Sequence, residues 1–181
     1  MIDIVDNPAV SFEGIYQRAD KIAGFSFCGN AGRLQRVPLL VKAIEKYLIE
    51  GGTLKFAFAG GGVFSVLLKE LADKFSAVIY FGLVDSRKAA QINVDYEWAL
   101  LPIDDEVTRY AFPSKTSSYV FSGARILAIC GRDTSVSKWV ESNKVGLSVE
   151  PEVNAIVSAF REIERSNFEL LNLDMDRALL K

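Results

Sequence analysis

The sequence predicts an α/β domain: Rossmann-like, three-layered, with a six-stranded parallel sheet between two layers of helices. Three observations point there. From Ile22 onward, short apolar runs alternate with segments whose apolar residues recur at helical spacing. Glycines gather where several of the runs end, as at 29–32 and 60–62. No internal linker, repeat or low-complexity tract interrupts the pattern. Strand–helix alternation implies right-handed crossovers and helices on both faces.

The elements follow in order. Residues 22–28 read as the first strand, ending at Gly29-Asn30-Ala31-Gly32-Arg33. Over 37–49, Leu40, Val41, Ile44, Tyr47 and Leu48 can share one helix face, and Gly51-Gly52 ends the helix. Residues 54–59 form a second strand, which turns through Gly60-Gly61-Gly62 into a helix over 63–74. A third strand covers 77–81 and breaks at Gly82; a weaker helix covers 86–94. The fourth strand, 98–101, is stopped by Pro102. After an initially acidic loop, Pro113 and small hydroxyl residues open a helix that Gly123 closes. Residues 125–130 are a fifth strand, 135–142 a short helix and 145–149 a sixth strand. Pro151 suits a helical first turn, with the helix running over 152–165 and a last helix over 167–181. Residues 1–20, with Asn7-Pro8, read as a hinge or linker ahead of a domain spanning 21–181. Trp98, Phe121 and Trp139 are expected in the core.

Composition narrows the chemistry. The chain has 181 residues, enough for one domain with a substantial core. Its net charge of −2 argues against a general nucleic-acid surface. The absence of histidine removes His-dependent triads and histidine metal sites. Cys28 and Cys130 are isolated and read as buried free thiols in a reducing cytosol. No apolar run approaches a membrane span, and the first residues lack a signal-peptide core.

The candidate binding residues lie in strand-to-helix loops, where open parallel sheets hold ligands. In the first loop, Gly29, Asn30 and Gly32 let backbone approach a ligand, and Arg33 offers a charged fork for phosphate. A tight turn with a solvated arginine is the plainer alternative. Gly60, Gly61 and Gly62 resemble part of a dinucleotide fingerprint, but the GxGxxG pattern and the acidic residue after the third strand are not met, which weakens NAD binding. Asp104-Asp105-Glu106 could gather a cation, but a solvated acidic loop is the simpler reading. In Ser114-Lys115-Thr116, Lys115 supplies a point charge for phosphate, while the hydroxyls can cap the helix or meet a ligand.

Taken together, these loops resemble the C-terminal, donor-binding half of a family 4 (group 1) glycosyltransferase of the GT-B fold. Residues 4–12, Ile-Val-Asp-Asn-Pro-Ala-Val-Ser-Phe, resemble the hinge that enters this half. Gly29 to Gln35 resembles its first phosphate loop, Phe58 to Gly62 its second glycine loop, and Tyr80 to Val84 the strand end beside the nucleobase. Pro113-Ser114-Lys115 through Tyr119 and Gly123 resembles the Pro-Ser-Lys helix of bacterial surface-polysaccharide transferases. Two departures stand out. Tyr110 and Ser118 occupy positions where the family often has two glutamates. The lysine that commonly follows the Gly-Arg loop is missing; Arg36 is the nearest cation, and Lys115 another.

The resemblance implies a hexosyltransferase-like, retaining enzyme of cell-surface polysaccharide or glycoconjugate biosynthesis, with no obligatory metal or other cofactor. Its substrate is a nucleotide-sugar such as a UDP- or GDP-sugar. Arg33 and Lys115 would neutralise the diphosphate, with Ser114, Thr116 and Ser118 beside it and Leu83 and Val84 bordering the base. An N-terminal acceptor-binding domain is expected as partner and does not fit within 181 residues, so this chain alone is expected to be inactive. The expected location is cytoplasmic, with any contact to the inner face of the membrane made through the parent protein. A non-catalytic nucleotide- or sugar-binding module, or an inactive partner subunit, is the alternative; an unrelated Rossmann-like oxidoreductase is disfavoured by the broken fingerprint.

Overall fold

Six strands form one sheet: β1 (Ile22–Cys28), β2 (Lys55–Ala59), β3 (Val78–Tyr80), β4 (Tyr96–Pro102), β5 (Arg125–Ile129) and β6 (Gly146–Val149). Every pairing is parallel, and the spatial order is β3-β2-β1-β4-β5-β6. This computed structural model describes residue 15 and residues 20–166. The expected hinge at 4–12 and last helix at 167–181 lie outside the described residues.

Strand parity sorts the side chains. Phe25, Phe27, Phe56, Phe58, Trp98, Leu100, Leu127 and Ile129 fill one core together with α1 (Val37–Ile49), α2 (Ser65–Lys74) and α6 (Val153–Arg165). Ala99, Leu101, Ile126 and Ala128 meet α4 (Lys115–Phe121) and α5 (Ser135–Ser142) in a second core. Ala57 and Ala59 meet Ile92 of α3 (Ser86–Asp95) in a third. The first face is aromatic and takes large helix side chains. Beside β2 the other face offers alanines, so α3 can approach with few apolar residues, which is why its helical pattern is weak. There, Ser26 Oγ donates to Asn93 Oδ1 at 3.0 Å, satisfying two buried polar groups.

Several expectations need correction. Pro102 ends β4 from within, pairing in register with Ile129, because the ladder reaches the strand's last residue. Pro151 precedes the helix instead of entering its first turn, since α6 begins at Val153 after Glu152. The segment 113–123 yields a helix of only seven residues, Lys115–Phe121, closed by Gly123 at φ 69°. Phe121 is 54% exposed at its end, not core, whereas Trp98 is buried and Trp139 half-buried. Cys130 is buried, but Cys28 only partly so.

Candidate functional site

The strand order reverses between β1 and β4: β1 leads outward to β2 and β3, β4 to β5 and β6. At such a switch point the loops leaving the two strands diverge and open a crevice beyond their carboxyl ends. The first glycine loop leaves β1, and the loop leading to α4 leaves β4.

The glycine loops pack on each other. Gly29 N donates to Ala59 O at 2.8 Å, Ala31 N to Gly61 O at 2.7 Å and Phe64 N to Ala31 O at 3.0 Å. Gly60 N donates to Gly82 O at 2.7 Å, while Tyr80 OH donates to Gly60 O at 2.8 Å. Gly60 sits at φ 124°, and a Cβ there would run into the Gly29 carbonyl. Gly60 and Gly62 are thus required by contact with the first loop, whether or not a ligand approaches. A Cβ on Gly61 would stand 3.1 Å from Leu83, whose side chain is 85% exposed, while Val84 is half-buried. Gly32 N donates to Gln35 Oε1 at 3.1 Å, and Asn30 is exposed.

Lys115 opens α4 and reaches back over the end of β1. A Cβ on Gly29 would collide with Lys115 Cε and Nζ, so the missing side chain makes room for the lysine. Its ammonium lies 4.4 Å from the centroid of the Phe27 ring. It makes no ion pair with a carboxylate among the described residues. Burial pulls its pKa down to about 8, the nearby Cys28 opposing this. Burial pushes the Cys28 thiol up to about 12, with Lys115 opposing, so the thiol stays protonated at neutral pH.

The other expected residues differ in exposure and in partners. Arg33 is exposed at the start of the 33–35 turn and has no partner among the described residues. Ser114 is exposed and caps no amide with its side chain. The Thr116 hydroxyl is turned inward: the residue is buried and Oγ1 donates to Pro113 O at 2.7 Å. Ser118 is half-buried, and Tyr110 is 89% exposed. Asp104 and Asp105 are not simply solvated. Both pair with Arg36, at 3.7 and 3.0 Å, and no group of three metal-ligating side chains occurs among the described residues. Two features go beyond the sequence expectations: Phe27 as the surface beneath Lys115, and the pairing of Arg36. The alternation of large residues along 25–28 could have flagged Phe27 as facing with Phe25; nothing local signals a contact 69 residues away.

The fold is that of the C-terminal domain of GT-B glycosyltransferases, and the chain is glycosyltransferase-like in sequence. Over 153 residues it is 28% identical to a probable glycosyltransferase, WbjE, of Pseudomonas aeruginosa, covering 83% of this chain and 36% of that protein. The chain therefore spans well under half of the relative's length. Among solved structures it is similar to the C-terminal domain of a group 1 family glycosyl transferase (LpcC) from Francisella tularensis, with a TM-score of 0.63 at 14% identity, covering 85% of this chain and 87% of that one. The GtfA/B complex matches with a TM-score of 0.60 at 17% identity, over 84% of this chain and 31% of that one. WaaG, a glycosyltransferase involved in lipopolysaccharide biosynthesis, matches at 0.53 and 12%, over 79% and 38%. No family model matches the chain. No described helix is long and apolar enough to cross a membrane.

Proposed function

We propose that this chain is the donor-binding half of a retaining glycosyltransferase that takes a UDP- or GDP-sugar in building a cell-surface polysaccharide or glycoconjugate. The observation that carries the reading is Lys115: a half-buried ammonium with no carboxylate partner among the described residues, laid across Gly29 at the β1/β4 switch point. A desolvated cation there is stabilised by an incoming anion. Arg33, exposed on the same loop as Gly29, supplies the second charge. The two would neutralise the diphosphate and stabilise the charge that develops as the nucleotide departs, with no metal called for. Leu83, exposed beyond β3, offers an apolar border for the base. Acceptor binding and water exclusion belong to a second, N-terminal domain of the parent protein, which would act at the cytoplasmic side of the membrane.

Calorimetric titration with UDP, GDP, their sugars and NAD, on the wild type and on Arg33→Ala and Lys115→Ala, tests this. UDP or GDP should bind, and each substitution should weaken binding about tenfold or more. Binding of NAD alone would overturn the reading.

A second reading, a non-catalytic nucleotide- or sugar-binding module or an inactive partner subunit, is favoured by Tyr110 and Ser118 standing in place of the family's glutamates. Sugar transfer by the full-length parent protein would decide against it.

A further inference from the structure

Arg36 joins the 33–35 turn to α1 in the left-handed conformation, φ 45° and ψ 31°. A side-chain-bearing residue adopts this region at a cost, so something must hold it there. Arg36 Nε donates to Ile103 O at 2.9 Å and Nη2 to Asp105 Oδ1 at 3.0 Å. The same Asp105 oxygen accepts from Gly131 N at 3.0 Å. Alongside, Asp104 N donates to Leu34 O at 2.9 Å. One guanidinium and one carboxylate thus join the loops that leave β1, β4 and β5. The β1 loop carries Arg33, and the β4 loop leads to Lys115.

We propose that Arg36 is a positioning residue of the anion site and not one of its ligands: held by Asp105, it sets the turn that carries Arg33. The proposal rests on the nucleoside-diphosphate reading above. It answers the missing lysine of the resemblance differently from proximity alone, under which Arg36 would replace that lysine at the phosphate. A fork already committed to a carbonyl and a carboxylate has a different task.

The test pairs two measurements on the full chain. In the ligand-free protein, Arg36→Lys and Asp105→Asn should speed amide hydrogen exchange at Gln35, Asp104 and Gly131 while the sheet core keeps its protection. Unchanged exchange at these amides overturns the proposal. In UDP and GDP titrations, Asp105→Asn should weaken binding on the order of tenfold. Arg36→Lys should do the same, since lysine keeps the charge but loses the fork. In an Arg33→Ala background, both should add little. If Arg36 instead touches phosphate, releasing it with Asp105→Asn leaves affinity unchanged or tightens it, and losses at Arg33 and Arg36 add in full; either result overturns the proposal. Should the wild type bind neither nucleotide, the donor reading fails on its own account. The amide exchange then decides whether Arg36 positions the Arg33 turn.

Discussion

The Lys115 ammonium stands 4.4 Å from the centroid of the Phe27 ring, in space left open by Gly29. The ring attracts the cation, but it does not replace the water lost, and burial brings the pKa down to about 8. Lys115 is therefore charged below about pH 8 and neutral above. Affinity for UDP or GDP should fall as pH rises through a midpoint at or above that value, because a bound anion holds the proton more tightly. Lys115→Met should flatten the profile, as calorimetry between about pH 7 and pH 10 can show. The folded-state pKa lies below the unfolded value of 10.5, so the unfolded chain binds the extra proton and stability rises with pH between about 8 and 10.5. Ligand-free Lys115→Met should accordingly be more stable near neutral pH, by on the order of 1 kcal/mol.

Gly60→Ala should destabilise the fold by roughly 2–4 kcal/mol, read by denaturant unfolding. Its φ of 124° disfavours any side chain, and the added Cβ would meet the Gly29 carbonyl of the neighbouring loop. Gly82→Ala is the comparison. Its φ of 68° is also left-handed, but nothing lies within 4 Å of the added carbon, so its cost should be about 1 kcal/mol.

Glu164 of α6 ties the end of α1 to the start of β2. Its Oε1 accepts from Tyr47 OH at 2.7 Å, Thr53 N at 2.6 Å and Thr53 Oγ1 at 2.7 Å, and Oε2 pairs with Arg161 at 3.1 Å. Burial alone would raise its pKa, but the bonds from Thr53 and Tyr47, with Arg161, outweigh it and bring the carboxyl to about 2. A depressed carboxylate stabilises the fold above its unfolded value of 4.5, and the contribution disappears as pH falls toward 2. Glu164→Gln should cost on the order of 2 kcal/mol at neutral pH, and the difference from wild type should shrink across that acid window in thermal unfolding.

Phe160→Ala should cost about 3–5 kcal/mol, measured by urea unfolding with an unchanged m-value. The ring lies 4.9 Å from Phe25 and 5.4 Å from both Tyr47 and Phe56, so its loss opens a cavity where α6 meets α1 and the sheet. Nucleotide affinity should be preserved in the folded fraction, since Phe160 lies on α6, away from the strand-end loops.

Much of the architecture can be read locally, because strand and helix periodicities are properties of neighbouring residues. Ile22–Cys28, Val37–Ile49 and Ser135–Ser142 match their expected bounds. The errors fall where the sequence signal is ambiguous. Phe121 looks like core because it is aromatic, but a seven-residue helix turns its last residue outward. Thr116 is a different case: the sequence leaves its hydroxyl open to capping or to ligand contact, and in the fold it donates to Pro113 O.

By itself, the sequence determined an alternating α/β chain with glycine-bearing strand ends, with Arg33 after the first strand and Lys115 after the fourth. Only the tertiary structure decided which loops meet. Lys115 lies across Gly29, 86 positions earlier in the chain, because β1 and β4 are neighbours in the sheet while β2 and β3 pass to the other side. The same adjacency turns Arg36 toward Asp105. Periodicity specifies which face a side chain takes; strand order specifies which side chains become neighbours, and that order is set by packing the whole sheet between its two layers of helices.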